Sequence, residues 1–352
     1  LLIGTLSLVT GPMLYKEMPF NPANFAPVSL LVLAPNVICV FPGLAANSIP
    51  SGEEPAAPCL VSSLIDPLIT EKRMQYRSRI DVEIDCRMDE SSYGLFAIVQ
   101  PAEFKRVMSN LIDNAFEAAT GADRGRIHVT LAAFEGRVRV RVEDNGKGIP
   151  SDLLGRLGER GQSHGKEKGS GLGLYHAKSR TQAWGGVLQL ESHEGRGTTI
   201  TLLLPAAQPP DWFVSQLSLD PSETVVILDD DASIHQVWKG RLEDVGAGKR
   251  PVSTMHFSTP LEIRQWVAEK QARALEAVYL IDYELLGYSD TGLGLAKELG
   301  LGERCILVTS RHEEPRIINR CRSIGTRMIP KNLNHLVPIH IRELRDQTLD
   351  AV

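Results

Sequence analysis

The sequence has few cysteines, and their arrangement argues against a disulfide framework. Five are present, an odd number without any CxxC spacing; they are Cys39, Cys59, Cys86, Cys305 and Cys321. Disulfide scaffolds use paired cysteines, and cysteine-based zinc sites use closely spaced ones. We therefore expect reduced thiols in a cytoplasmic protein, and no metal site made of cysteines.

The sequence also lacks an excess of positive charge and a long hydrophobic run. With 38 basic and 43 acidic side chains, its formal net charge is -5, which offers no basic surface to a nucleic-acid backbone. The longest uncharged stretch, about 19–52, contains prolines that divide it into pieces shorter than the roughly 20 apolar residues of a spanning helix. We expect neither a nucleic-acid partner nor a membrane span in this chain.

Two segments rich in proline and small residues divide the chain. They are SIPSGEEPAAP at 48–58 and PAAQPPDW at 205–212, and this composition is typical of linkers. The 352 residues, 43% of them hydrophobic, are enough for two or three domains. The predicted organisation is a fragment at 1–50, a linker at 51–66, a domain at 67–205, a linker at 206–222 and a domain at 223–345.

Hydrophobic periodicity predicts a different fold class for each large domain. Residues 102–120 have apolar side chains at helical spacing, and residues 126–146 alternate with period two, as in a β-hairpin. With two further strands, GVLQLES and GTTITLLLP, they indicate an α+β domain, a two-layer α/β sandwich. Beyond residue 222, short apolar runs alternate with helices as far as LVPIHIREL, the fifth helix, which predicts a doubly wound parallel α/β sheet.

Two amides lie four residues apart in NLIDNAFEA, at 110–118. Positions i and i+4 share one face of a helix, so Asn110 and Asn114 point to the same side. Neutral oxygen ligands suit a Mg²⁺ ion that already carries phosphates. The alternative, for this pair alone, is a helix that packs polar groups against a neighbouring strand.

Two glycine-rich segments follow. In VEDNGKGIP, Asp144 ends a strand where a carboxylate can accept the amine of adenine, and Gly146 and Gly148 allow a tight turn; DNGKG alone also suits an ordinary hairpin. In GKEKGSGLGLYHAK, glycines open a helix whose backbone N–H groups can bind phosphate, with lysines nearby. The candidate residues of this second segment are Lys166, Lys168, Gly169, Gly171, Leu172 and Gly173.

These segments resemble the ATP-binding domain of sensor histidine kinases, whose fold is shared with gyrase and mismatch-repair ATPases. NLIDNA is similar to the N box of that family, DNGKGIP to its first glycine box and GSGLGL to its second, and the match covers about 60–205. The resemblance implies an α/β sandwich that binds ATP and Mg²⁺.

The resemblance also implies roles for single residues. Asn114 would bind Mg²⁺, Asn110 would lie beside the phosphates, and Asp144 would recognise adenine. Thr198 or Thr199, in the segment GRGTT, would lie near the base.

Acidic side chains collect at the ends of the strands predicted after residue 222. Asp229 and Asp230 follow the first strand, Asp282 ends the third, Thr309 ends the fourth and Lys331 follows the fifth. Because ligands gather at the carboxyl ends of parallel strands, we expect these residues to converge around Mg²⁺, with one aspartate as a nucleophile toward phosphorus. Helix capping is the alternative for one or two of them.

This pattern resembles the receiver domain of response regulators, a flavodoxin-like fold, over about 223–345. The resemblance implies that Asp282 is the phosphoacceptor and that Asp229 and Asp230 are the acidic pair. Thr309 would be the switch hydroxyl, and Lys331 would pair with the phosphate. One departure concerns a proline, which follows the lysine in that family and precedes Lys331 here.

A histidine kinase also needs a phosphoacceptor histidine, and none of the nine histidines precedes the N box. We therefore expect the acceptor on another chain, a histidine-bearing kinase or phosphotransfer protein. A homodimer is a further possible assembly. Residues 1–50 are similar to part of the substrate-binding proteins of tripartite tricarboxylate transporters. Because the segment is only a fraction of such a protein, we expect no transport function from it.

Together these features predict the ATP-binding catalytic part of a hybrid sensor histidine kinase with a C-terminal receiver, which acts in bacterial two-component phosphorelay signalling. Two alternatives remain open. One is a regulatory or interaction module that binds ATP without phosphotransfer, and the other is a serine kinase of the anti-sigma type. The attached receiver favours the histidine kinase over the serine kinase.

Overall fold

The computed structural model describes residues 2–4, 26–30, 37–40, 55–79, 81–121, 124–151, 172–246 and 252–342. The chain separates into two compact units, Leu1–Glu54 and Pro55–Val352. In the first unit, strands β1 (Leu2–Gly4), β2 (Ala26–Leu30) and β3 (Val37–Val40) form an antiparallel sheet in the order β1-β3-β2.

The second unit begins with a mixed sheet packed against helices, here called the sandwich region (57–207). Its strands are β4 (Ala57–Leu60), β5 (Val82–Arg87), β6 (Phe96–Val99), β7 (Gly125–Phe134), β8 (Arg137–Asp144), β9 (Val187–His193) and β10 (Gly197–Ala207). Its described α-helices are α1 (Val61–Gln75), α2 (Pro101–Ala119) and α3 (Leu172–Ala183). The strand order is β4-β6-β10-β8-β7-β5, and β9 also pairs with β10.

The hairpin β7–β8 forms where the sequence alternates with period two. Val138, Val140 and Val142 are buried in the core, whereas the arginines between them are not. Glu135 and Gly136, at the turn, both have positive φ, 48° and 71°. Two-residue hairpin turns of type I′ need this conformation at both central positions.

The second part of this unit is a parallel sheet, here called the parallel-sheet region (224–342). Its strands are β12 (Thr224–Leu228), β13 (Ser253–Phe257), β14 (Val278–Asp282), β15 (Cys305–Thr309) and β16 (Arg327–Pro330). Its described α-helices are α4 (Ala232–Gly246), α5 (Pro260–Lys270), α6 (Gly292–Glu298) and α7 (Pro315–Ile324). The five strands are parallel, in the doubly wound order β13-β12-β14-β15-β16.

Both faces of this parallel sheet are buried. Along β12, Val225 and Ile227 belong to one hydrophobic cluster, and Val226 and Leu228 belong to another. Helix α4 packs in the first cluster and α5 in the second. Apolar side chains on both faces explain why each strand reads as a continuous hydrophobic run.

Both predicted linkers contain regular structure. Residues 57–66 form β4 and the beginning of α1, where Val61 and Ile65 are fully buried. In the second linker, residues 217–219 form β11 (Leu217–Leu219), and Trp212 and Val214 hydrogen-bond the backbone of Met328 in β16. Proline in the first segment lies in the edge strand β4, where a missing N–H group is tolerated.

The segment LVPIHIREL is not the predicted fifth helix. Residues 339–341 form the strand β17 (Ile339–Ile341), which pairs in parallel with β11. Pro338 disfavours a helix through this segment, and the strand buries Ile341 while His340 is exposed. That prediction was wrong because periodicity over so few residues does not distinguish a helix from a strand. Among the described residues, no helix has both the length and the hydrophobicity that crossing a membrane requires.

Candidate functional site

The two asparagines of α2 face the first turn of α3. A Cβ atom placed on Gly173 would lie 3.9 Å from the Asn110 Cβ and 3.9 Å from the Asn114 Nδ2. Both asparagines are half-buried. The first turn of a helix has N–H groups without intrahelical partners, and these attract anions. The arrangement thus places the first turn of α3, which can bind an anion, beside two neutral amide side chains.

Asp144 ends β8 and is paired with Thr198 of β10 in the sheet. Its Oδ1 accepts a hydrogen bond from the Gly146 N–H at 2.9 Å. Burial raises the pKa of Asp144, and the backbone N–H groups of Gly146 and Thr198 act in the opposite direction. A partly buried carboxylate of this kind can accept a hydrogen bond from an amine of a bound base.

Close packing requires both glycines after Asp144. A Cβ atom on Gly146 would lie 2.3 Å from the Ala118 backbone oxygen, near the end of α2. On Gly148, which has a φ of +65°, it would lie 2.0 Å from the His193 oxygen. The DNGKG loop is therefore held between α2 and the turn that joins β9 to β10.

Ser192, on β9, is a buried part of this site that the motifs did not reveal. Its hydroxyl accepts from the Ile149 N–H at 2.9 Å, donates to the Gly197 oxygen at 3.0 Å, and lies 2.9 Å from the Thr198 Oγ1. It joins the glycine loop to β10. A lone serine within a strand has no distinctive spacing; the only sequence signal is the GRGTT segment that follows it.

The structure separates the two threonines of GRGTT. Thr198 is opposite Asp144 in the β8–β10 ladder, whereas Thr199 is opposite Glu143. Successive side chains of a strand point to opposite faces of the sheet, so Thr199 faces away from Asp144. Leu172 is the first residue of α3. The remaining predicted phosphate ligands lie outside the described residues; they are Lys166, Lys168, Gly169 and Gly171.

A partly buried ion pair holds α1 against α2, and no motif indicated it. The Lys72 side chain is 4% exposed, and its Nζ lies 2.6 Å from the Asp113 Oδ1. The Tyr76 hydroxyl donates to the same oxygen at 2.6 Å, and the Tyr76 ring stacks on Phe116 with 3.6 Å between centroids. Burial and this hydrogen bond raise the pKa of Tyr76. Because Asp113 precedes Asn114, these contacts fix the rotation of α2 and hence the direction of its amides.

At the carboxyl end of the parallel sheet, Lys331 joins two buried aspartates. Its Nζ lies 2.5 Å from the Asp282 Oδ2 and 2.9 Å from the Asp229 Oδ2. Burial raises the pKa of Asp282 to about 6, with the hydrogen bond from Lys331 in opposition. Burial by itself lowers the pKa of Lys331, but its bonds to the two carboxylates raise it above the usual value.

Asp230 completes a group of three carboxylates. One oxygen each from Asp229, Asp230 and Asp282 lie within 4.8 Å of one another. Oxygen atoms so close together can share a single divalent cation, and carboxylate ligands suit Mg²⁺. The donor set therefore fits the predicted metal.

Thr309 ends β15, the strand next to Asp282 in the sheet. It is 1% exposed, and its Oγ1 accepts a hydrogen bond from the Arg311 N–H at 3.0 Å. The predicted phosphoryl-site residues thus all lie at the carboxyl edge of one sheet.

Comparison with known proteins assigns the middle of the chain to a family. The profile of the family described as "Histidine kinase-, DNA gyrase B-, and HSP90-like ATPase" matches residues 99–208. This segment thus resembles the ATP-binding domains of that family, which include those of histidine kinases. "Sensor protein kinase WalK" of Staphylococcus epidermidis is 33% identical over 125 residues, which are 34% of this chain and 20% of the relative.

A second curated relative and a solved structure are also similar to this chain. "Sensor histidine kinase DpiB" of Escherichia coli K12 is 35% identical over 119 residues, 33% of this chain and 22% of the relative. The chain thus spans about a fifth of the length of these two curated relatives. The solved "Mycobacterial sensor histidine kinase MprB" is 26% identical, covers 44% of this chain and 99% of its own, and has a TM-score of 0.37.

Proposed function

We propose that the chain is the ATP-binding catalytic part of a hybrid sensor histidine kinase, whose parallel-sheet region is a receiver domain of flavodoxin-like fold. In this proposal it acts in a two-component phosphorelay. The observation that carries the proposal is the contact of Asn110 and Asn114 with the first turn of α3, inside the segment that matches the ATPase family. The pairing of Lys331 with Asp282 and Asp229 in the same chain supports the receiver role.

ATP fits the groups that meet around α2, α3 and the end of β8. Asp144 and Thr198 would bind the adenine, and Asn110 with the helix end at Gly173 would border the phosphates. Asn114 would hold Mg²⁺ through its amide oxygen. Two lysines are predicted to bind the phosphates through their charge, and two glycines through their backbone N–H groups. These residues remain predictions; they are Lys166, Lys168, Gly169 and Gly171.

When bound, ATP supplies the γ-phosphoryl group for transfer to a histidine. The partner would be a histidine-bearing kinase or phosphotransfer protein; a homodimer of this chain would not by itself supply the acceptor. The chain's own groups would orient the triphosphate through α2 and α3. A cytoplasmic location is part of the proposal, and the buried free thiols of Cys305 and Cys321 suit a reducing compartment.

The receiver step would begin at the Asp282 carboxylate. One of its oxygens attacks the phosphorus of a phosphohistidine, the N–P bond breaks, and the imidazole leaves with the electron pair and takes up a proton. Asp229 and Asp230 would hold Mg²⁺ with Asp282, and that ion, when bound, reduces the repulsion between carboxylate and phosphoryl oxygens. Lys331 and the Thr309 hydroxyl would pair with the phosphoryl group.

Titration with a fluorescent ATP analogue, with and without Mg²⁺, tests the nucleotide site. We expect Asp144→Ala to weaken binding about tenfold or more in both conditions, because a charged hydrogen bond is lost. Asn114→Ala should weaken it about tenfold or more only when Mg²⁺ is present. Asn319→Ala removes an exposed helix asparagine as a matched control and should have no effect. Unchanged binding in both site variants would remove the catalytic proposal.

Incubation with acetyl phosphate and Mg²⁺ tests the receiver role separately. Mass spectrometry should show one added phosphoryl group that hydroxylamine removes, as expected for an acyl phosphate. Asp282→Asn should abolish it, whereas Asp244→Asn, at an exposed position on α4, should keep it. Persistent labelling of the Asp282→Asn variant would refute this assignment.

A further inference from the structure

The loop after β15 contacts helix α1 of the sandwich region. His312, three residues beyond Thr309, has its Nε2 3.0 Å from the Ser63 Oγ. His312 is 5% exposed, and its ring centroid lies 5.9 Å from that of Trp212. The contact therefore belongs to a packed interface and joins residues 249 positions apart in the sequence.

The loop after β16 reaches the same helix. Asn332, which follows Lys331, donates from its Nδ2 to the Asp66 Oδ2 at 3.4 Å. Ser63 and Asp66 are three residues apart on α1, so they lie on one face of the helix. Both loops that border the Asp282 site thus contact this one face.

An aromatic cluster continues the interface. Tyr93 of the sandwich region donates from its hydroxyl to the Val214 oxygen at 2.7 Å, and its ring lies 5.1 Å from that of Phe213. The Phe96 and Phe213 rings are 5.0 Å apart at a steep angle. Leu60 belongs to the same buried cluster as the core of the parallel sheet. A continuous apolar contact of this kind holds the two regions in one arrangement.

The groups that would pair with a phosphoryl group have protein partners in this structure. The Lys331 Nζ is held by Asp282 and Asp229, and the Thr309 hydroxyl accepts from the Arg311 N–H. A phosphoryl group adds about two negative charges and three acceptor oxygens, which compete with Asp229 and Asp282 for Lys331 and can accept from the Thr309 hydroxyl. If the Thr309 side chain turns toward these oxygens to donate, its Oγ1 moves away from the Arg311 N–H, and the turn that carries His312 shifts.

We propose that the docking face, formed by His312 and Asn332, has its partner in α1 of the same chain and that phosphorylation of Asp282 weakens this docking. The inference rests on the proposed role of Asp282 as phosphoacceptor. The receiver would thereby act on its own ATP-binding domain through the helix that leads into it.

Hydrogen–deuterium exchange of the full chain tests the coupling. Mg²⁺ with beryllofluoride, a mimic of a phosphoryl group on a carboxylate, loads the site, and fluorine NMR reports its binding independently. We expect the amides of α1 to exchange about two- to tenfold faster with beryllofluoride bound, which corresponds to the net loss of one hydrogen bond. The amides of β7, away from the docking face, should not change.

Variants on both sides of the contact test the docking itself. His312→Ala should speed the exchange of the α1 amides without beryllofluoride. It should also remove most of the additional increase in exchange that beryllofluoride causes in the unchanged chain. Ser63→Ala makes the same change from the sandwich side and leaves the parallel-sheet region unaltered. His340→Ala, at an exposed histidine of β17, is the matched control and should behave as the unchanged chain does.

The outcomes separate the two proposals. Bound beryllofluoride with unchanged or slower α1 exchange would overturn the coupling and leave Asp282 as the phosphoacceptor. If fluorine NMR showed no bound beryllofluoride in the unchanged chain, just as in Asp282→Asn, the phosphoacceptor role would be refuted. The coupling would be refuted with it. Unchanged α1 exchange in both His312→Ala and Ser63→Ala would show that the face does not dock on α1.

Discussion

Gly136 and Gly148 have nearly the same φ but very different surroundings. Their φ angles are +71° and +65°, yet a Cβ atom on Gly136 would meet nothing within 4 Å, whereas one on Gly148 would lie 2.0 Å from the His193 oxygen. An L-residue in the left-handed region costs roughly 1–2 kcal/mol by itself. At Gly148 the backbone of the β9–β10 turn would also have to move, and with it the loop that follows Asp144.

Alanine at the two positions should therefore behave differently. We expect Gly136→Ala to lower the free energy of unfolding by about 1 kcal/mol, and Gly148→Ala to lower it by about 2–4 kcal/mol. Only Gly148→Ala should weaken ATP binding, by about tenfold or more, because it displaces the adenine-side loop. Urea unfolding and nucleotide titration measure both effects. Equal losses of stability with equal ATP affinity would contradict this account.

At the scale of elements, α2 is in contact with α1 and α3. Lys72 and Tyr76 of α1 bind Asp113, and Asn110 and Asn114 border α3. The Lys72 side chain is almost fully buried, so its charge depends on Asp113 for compensation. The helix that carries the amides is thus oriented by an ion pair next to them in the sequence.

Removal of one partner should cost more than removal of both. We expect Asp113→Asn to lower the free energy of unfolding by about 2–4 kcal/mol, because it leaves the buried Lys72 charge uncompensated. The double variant Lys72→Met with Asp113→Asn should be more stable than Asp113→Asn alone. Arg141→Gln, in an exposed pair with Glu143, is the control and should change stability by about 0.5 kcal/mol or less. Urea unfolding gives the comparison, and a double variant less stable than the single one would disprove this role.

At the scale of the whole molecule, the sandwich and parallel-sheet regions share one hydrophobic cluster. Tyr93 and Phe96 of the first pack on Phe213, whose neighbours Trp212 and Val214 pair with Met328 of β16. The segment between the regions therefore covers the edge of the parallel sheet and fills the interface. Regions joined in this way should unfold together.

Truncation of Phe213 should separate their unfolding. We expect Phe213→Ala to remove about 3–5 kcal/mol from the interface and to split one calorimetric transition into two. Phe134→Ala, at a partly exposed phenylalanine of the β7–β8 hairpin, should keep a single transition. A single transition in Phe213→Ala, at the same midpoint as the unchanged chain, would show that the regions are not coupled in this way.

Much of the local structure follows from spacing within short windows. The α2 helix, the β7–β8 hairpin and the five parallel strands were predicted because helical and strand periodicities repeat every few residues. The predictions failed where short segments had weak periodicity, as in LVPIHIREL, and where proline content suggested linkers that are in fact packed. Which of Thr198 and Thr199 lies opposite Asp144 could be decided only from the pairing of β10 with β8.

By itself, the sequence determined the types of the main elements and the motifs that resemble an ATP site and a phosphoryl site, since both depend on residues close together in the chain. Tertiary structure alone decided which distant groups meet. Lys331 reaches Asp229 across 102 positions, Lys72 reaches Asp113 across 41, and His312 reaches Ser63 across 249. No periodic pattern in the sequence predicts these contacts, because each depends on how whole elements pack. Burial then makes an uncompensated charge or a missing hydrogen bond costly at these positions.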